Sequence, residues 1–210
     1  FEVKTMYLNG LCFITGRKES CLTLKEIVTI VLSSGVRWIQ YREKDKSRRD
    51  IYREAFILRK LTNEFGAVFI VNDYTDIALA VNADGVHLGQ DDLPLKEARK
   101  ILGKEKIIGI STHSIEQAIE AEQGGASYIG FGPIFHTKTK DAGEPKGIEM
   151  LKEVKRHIKI PVIAIGGIKT ENLKSVIDAD AVAVSSAIIQ GDIADNAIRF
   201  LSILENDHHK

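Results

Sequence analysis

Opposite charges cancel in this chain: Lys and Arg together number 29, Asp and Glu together 29. A neutral balance offers no extended basic face for nucleic acid or an anionic membrane, so any cationic cluster must act locally. Two cysteines, Cys12 and Cys21, are too few for a disulfide framework and read as reduced thiols of a cytoplasmic protein. No apolar run approaches the roughly 18 residues of a membrane span, and no signal-peptide pattern opens the chain. No linker, low-complexity run or charge block divides it. What is present is 210 residues, 44% of them hydrophobic, enough for one substantial core and too little for two.

The apolar runs are short, continuous and evenly spaced. Residues 11–16 (LCFITG), 36–41 (VRWIQY), 67–71, 85–89 (GVHLG), 106–110, 127–132, 161–165 and 181–185 read as strands. Stretches with helical periodicity lie between and after them: 23–33, 48–65, 75–81, 95–102, 115–123, 148–157, 169–177 and 192–204. Pro94 suits a helix start, and Ser114 and Thr170 suit caps. Strands that are apolar throughout, rather than alternating, are parallel strands covered on both faces. Eight strand–helix units at a spacing of roughly 25 residues predict a single-domain (β/α)8 TIM barrel with short loops over 1–210. The tail 206–210 is expected to fray. A doubly wound open sheet is the rival architecture.

In such a barrel the chemistry gathers where strands end. The second strand runs into Gln40, Arg42 and Lys44, on one face if the period of two continues. Asn72 and Asp73 follow the third, and Gln90, Asp91 and Asp92 the fourth. Ser111 and His113 follow the fifth, and Thr137, Thr139 and Lys140 the sixth. Gly166 and Gly167 close the seventh, Ser185 and Ser186 the eighth. Arg42, Lys44 and Lys140 could clamp a multiply charged phosphate group. Asp73 with Asp91 or Asp92 could hold Mg²⁺, which takes few protein carboxylates and completes its shell with water and phosphate oxygens. Gly166, Gly167, Ser185 and Ser186 suit a second phosphate held by backbone N–H groups. Two phosphate sites and a metal in one mouth point to a transferase acting on two phosphorylated small molecules.

Each motif has a plainer reading. Residues 42–45 could be a solvated salt-bridge run, and Asp91 and Asp92 could cap the helix after Pro94. The glycine and serine pairs could be tight turns. His87, inside a strand, reads as a core histidine with satisfied ring nitrogens; His113 and His136 are weaker candidates for catalysis.

The segments QYREKD (40–45), NDYTDIALAVNADGVHLGQDD (72–92), GISTHS (109–114), GFGPIFHTKTK (130–140) and AIGGI (164–168) resemble the thiamine phosphate synthase family, in order and along nearly the whole chain. The resemblance implies a TIM barrel that joins hydroxymethylpyrimidine diphosphate to thiazole phosphate, or its carboxylated form, releasing pyrophosphate with Mg²⁺. By motif, Gln40 would contact the pyrimidine, and Arg42, Lys44, Asn72, Ser111 and Lys140 the pyrophosphate. Asp73 and Asp92 would ligate Mg²⁺. Thr137, Thr139 and the backbone at Gly167, Ser185 and Ser186 would hold the thiazole phosphate. The family mechanism is mostly dissociative, so no strong base is required and catalysis falls to Arg42, Lys44, Ser111, Lys140 and the metal. The turn before the eighth strand, within SVIDADAVAVSSAI, is two residues shorter than the family's, which makes that strand's register a test of the resemblance. Two alternatives are a thiazole tautomerase-like isomerase, which would carry a histidine at the position of Pro133, and a non-catalytic thiamine-phosphate-binding paralogue. Homo-oligomer formation is left open.

Overall fold

Continuous apolar runs closed by glycine or polar residues become strands with both faces buried, and a computed structural model describes residues 8–16, 21–137 and 143–207. Eight parallel strands form a closed barrel in sequence order: β1 (Gly10–Ile14), β2 (Trp38–Tyr41), β3 (Val68–Asn72), β4 (Gly85–Leu88), β5 (Ile107–Thr112), β6 (Tyr128–Phe131), β7 (Val162–Ile165) and β8 (Ala181–Val184). Around them lie α1 (Leu24–Ser33), α2 (Arg48–Glu64), α3 (Thr75–Ala80), α4 (Leu95–Leu102), α5 (Ile115–Gln123), α6 (Gly147–His157), the short α7 (Ser186–Ile189) and α8 (Ile193–Asp207). The expected barrel is therefore present, and the open sheet is excluded by the pairing of β8 with β1.

Local chemistry explains the helix starts. Thr23 and Glu26 form a reciprocal capping box on α1, and the Ser114 hydroxyl accepts from the Gln117 N–H on α5. The expected helix at 169–177 reduces to a 3₁₀ turn, Leu173–Val176. There the Asn172 carboxamide accepts from the Lys169 N–H (2.8 Å), so Thr170 is not the cap. α7 lies between the expected strand 181–185 and helix 192–204, where the sequence reading assigns no element, and α8 continues through 207. The rest of the expected frayed tail, 208–210, lies outside the described residues.

Alternation along the strands sorts side chains into two cores. Phe13, Ile39, Phe69, Val71, Val86, Ile108, Ile129 and Val182 face the helices. Cys12, Trp38, Val68, Ile70, Ile107, Tyr128, Ile163 and Ala181 fill the lumen. The same parity turns Gln40, Asn72, His87 and Ser111 inward near the strands' C-terminal ends.

Three polar residues immediately before even-numbered strands pin the register. The Asp84 carboxylate accepts from the Phe69 N–H (2.9 Å) and from two Arg59 nitrogens (2.7 and 3.3 Å). The Asp180 carboxylate accepts from the Val162 N–H (2.7 Å) and Lys155 (2.6 Å). The Ser127 hydroxyl accepts from the Ile108 N–H (3.1 Å). Despite its short preceding turn, β8 pairs on both sides, Ile163 with Ala181 and Gly10 with Ala181.

Candidate active site

β2 ends at Tyr41, so the period of two carries Gln40 into the lumen but does not extend to Arg42 and Lys44. Gln40 is buried, whereas Arg42 is half-buried and Lys44 exposed on the rim. Arg42 is placed by Thr15, just beyond β1. The Thr15 hydroxyl accepts from the Arg42 N–H (2.9 Å) and donates to the Arg42 carbonyl (3.2 Å). Thr15 is a strand-end residue that the sequence reading passes over.

The next strand end meets this rim. Lys44 Nζ lies 2.5 Å from a carboxylate oxygen of Asp73, and the Asn72 side-chain amide donates to the other oxygen. Asp73 has φ 66°, a left-handed conformation that aspartate tolerates better than most residues. Burial raises its pKa, as do the hydrogen bond and charge of Asp92, against the opposing pull of Lys44. The carboxyls of Asp73 and Asp92 thus converge from neighbouring strand ends.

Asp92 is held there by its own turn. Its carboxylate accepts from the Gly89 N–H (2.6 Å), and a Cβ at Gly89 would lie 3.1 Å from that carboxylate. It does not cap α4, whose N-cap position is Pro94 and has no side-chain cap bond. Asp91 is exposed. Among the described residues no group of three or more His, Cys, Asp or Glu gathers as a metal cage.

Ser111 lies within β5 rather than beyond it. Its carbonyl accepts from the Gln90 amide (2.6 Å), and its hydroxyl lies 2.8 Å from His87 Nε2. His87 Nδ1 lies 2.9 Å from the Tyr128 hydroxyl, so His87 is a core histidine with both nitrogens engaged, as read from sequence. Yet its partner is a candidate site residue, which sequence reasoning did not connect. His113 Nδ1 lies 2.6 Å from the Gly132 carbonyl, and His136 is exposed.

The other half of the mouth is formed by the ends of β6, β7 and β8. After the cis Gly132–Pro133 bond, Ile134 and Phe135 donate to the carbonyls of Ile165 and Gly166 (2.9 and 3.0 Å). This loop lies directly over the glycine pair. A Cβ would sit 2.5 Å from Pro133 Cβ at Gly166, and 2.5 Å from the His136 carbonyl oxygen at Gly167. Both glycines also have positive φ, 96° and 67°. Ser185 follows β8 beside Gly16, where a Cβ would lie 2.6 Å from its hydroxyl; exposed Ser186 opens α7. Thr137 is half-buried at the edge of the described loop, while Thr139 and Lys140 lie outside the described residues. Pro133 offers no group that could shuttle a proton.

The structure therefore brings Lys44, Asn72, Asp73 and Asp92 into one cluster and joins Ser111 to His87 and Tyr128. Gly167, Ser185 and Ser186 lie on the opposite arc of strand ends. A profile of the thiamine monophosphate synthase family matches residues 11–188. The thiamine-phosphate synthase of Shouchella clausii is 51% identical over 160 residues, 76% of this chain and 77% of that one. Its counterpart in Halalkalibacterium halodurans is 46% identical over 187 residues, 87% of this chain and 89% of that one. Among solved structures, thiamine phosphate pyrophosphorylase from Pyrococcus furiosus superposes with a TM-score of 0.88 at 39% identity, covering 94% of this chain and 96% of the other.

Proposed function

The chain belongs to the thiamine monophosphate synthase family, and from that membership we propose how its barrel mouth forms thiamine phosphate. It is a transferase. Hydroxymethylpyrimidine diphosphate loses its diphosphate as the methylene carbon–oxygen bond breaks, the electron pair leaving on oxygen. The ring nitrogen of thiazole phosphate, or of its carboxylated form, then donates its pair to that carbon.

Residues of the β2, β3 and β5 ends carry the leaving group. Arg42 and Lys44 offer positive charge, Asn72 and Ser111 offer hydrogen bonds, and Lys140 supplies a further cation. Gln40, in the lumen, contacts the pyrimidine. Thr137 and Thr139, with backbone N–H groups at Gly167, Ser185 and Ser186, hold the thiazole phosphate across the mouth, keeping the two rings in attack geometry. No side chain needs to act as a strong base.

The observation that carries this reading is the convergence of Asp73 and Asp92 with Lys44 against them. A half-buried Asp73 carboxylate whose charge is made more costly by Asp92 fits a hard divalent cation, and Lys44 at 2.5 Å already lies where positive charge is favourable. Asp73 and Asp92 would hold Mg²⁺. When bound, the ion supplies charge to the diphosphate oxygens as they leave. The free thiols Cys12 and Cys21 support a cytoplasmic location, and none of the described helices is long and apolar enough to cross a membrane.

The test is pyrophosphate release from the two substrates, with Mg²⁺ and then with EDTA. Release requiring both substrates and metal, with thiamine phosphate as product, is the expected result. Pyrophosphate released without thiazole phosphate, or undiminished in EDTA, would sink the proposal.

A further inference from the structure

Below the mouth a polar chain crosses the lumen, and two glycines make room for it. A Cβ at Gly109 would lie 2.1 Å from Tyr128 Cζ, and one at Gly130 would lie 3.2 Å from His87 Cε1. Trp38 meets Tyr128 edge-on at 5.2 Å between ring centroids, and His87 lies 5.5 Å from it at 31°. Tyr128 is therefore fixed by packing on one side and by hydrogen bonds on the other. The chain runs from the Tyr128 hydroxyl to His87 Nδ1 (2.9 Å), and from His87 Nε2 to the Ser111 hydroxyl (2.8 Å). Its mouth end, Ser111, is a proposed ligand contact; His87 and Tyr128 have no assigned role.

Such a chain can run in only two directions, and its chemistry selects one. Burial pushes the Tyr128 hydroxyl far above its ordinary range, so it remains protonated. A buried O–H must find an acceptor, and the structure places His87 Nδ1 within hydrogen-bond distance of the phenol (2.9 Å). Burial keeps His87 neutral at pH 7, with one N–H. An imidazole that accepts at Nδ1 carries its hydrogen on Nε2, which then donates to Ser111. The Ser111 proton is thereby free to meet an acceptor in the mouth.

We infer that Tyr128 and His87 are positioning residues: their hydrogen bonds set Ser111 as a donor to an anionic ligand oxygen. The reverse chain, in which Ser111 donates to His87, would turn a lone pair towards the diphosphate and weaken binding. This part of the inference rests on the site roles proposed above; the hydrogen-bond direction does not.

The experiment is ¹⁵N NMR of the full chain labelled at histidine, with the His87 resonances assigned by their loss in His87→Gln. At pH 7 the expected signature is a neutral ring protonated at Nε2, and in Tyr128→Phe that preference should be lost. A predominant Nδ1–H tautomer, a mixture in the wild type, or no change in Tyr128→Phe overturns the inference. Kinetics provide the second arm. Tyr128→Phe should lower kcat/KM for the pyrimidine diphosphate about tenfold, the ordinary effect of one lost hydrogen bond. His87→Leu should lower it further, and His87→Gln, which restores an N–H near the Nε2 position, should recover most of that loss. Equal losses in the Leu and Gln variants would reduce His87 to packing. If His87→Leu does not fold, Tyr128→Phe and the tautomer measurement decide. A wild type that makes no thiamine phosphate would overturn the site roles while leaving the tautomer to judge the relay.

Discussion

Asp73 combines a left-handed backbone, a lysine partner and a second carboxylate in one residue. Asparagine tolerates the same φ, so Asp73→Asn removes charge with little backbone cost. Lys44 is half-exposed, so the lost ion pair should matter little, whereas relief from Asp92 should help. In EDTA the variant should melt no lower than the wild type. Mg²⁺ with pyrophosphate should raise the wild-type Tm and leave the variant's unmoved; identical shifts would remove Asp73 from the metal site. Both carboxylates were legible as strand-end residues. The choice of Asp92 over Asp91 came from the family motif and not from the strand-end reading, because it depends on a turn that directs Asp92 to the Gly89 N–H and leaves Asp91 in solvent.

The elements are tied together by acidic residues that sequence periodicity does not single out. Asp84 joins α2, β3 and the start of β4, with Arg59 and Asp84 side chains 14% and 5% exposed. Asp180 makes the corresponding ties among α6, β7 and β8, but its side chain and that of Lys155 are 38% and 28% exposed. Removing one partner of a buried pair strands the other charge, so Asp84→Ala should cost about 3–5 kcal/mol. Asp180→Ala should cost about 1 kcal/mol, because solvent screens the ion pair and one N–H bond is lost. Urea midpoints of the two variants check the ranking, and equal losses would contradict this account of burial. The strands and their order were legible because two-sided burial demands apolar runs. The 3₁₀ turn and α7 were not, since each is too short to show periodicity.

For the whole molecule, His87 links the lumen to acid stability. Burial depresses its pKa from 6.5 to about 4, so between these values the unfolded chain binds the proton and the native state resists it. Stability should therefore fall as pH drops through that window, by about 2 kcal/mol from pH 7 to pH 5 on account of this group. His87→Gln should show a smaller loss over the same range in denaturant melts. An equal loss would mean that the native ring is already charged or hydrated.

The amino-acid order by itself determined the eight-unit barrel, the ring of polar strand ends and the family, because apolar continuity, glycine breaks and strand-end residues are local properties. Only the tertiary structure decided how that ring is wired. Lumen closure sets Tyr128 against Trp38 and His87 against Ser111, and seats the Pro133–His136 loop on Gly166 and Gly167. These contacts join residues far apart in the chain through the barrel's parity and curvature. Hydrogen-bond direction and carboxylate convergence arise only once the strands have closed.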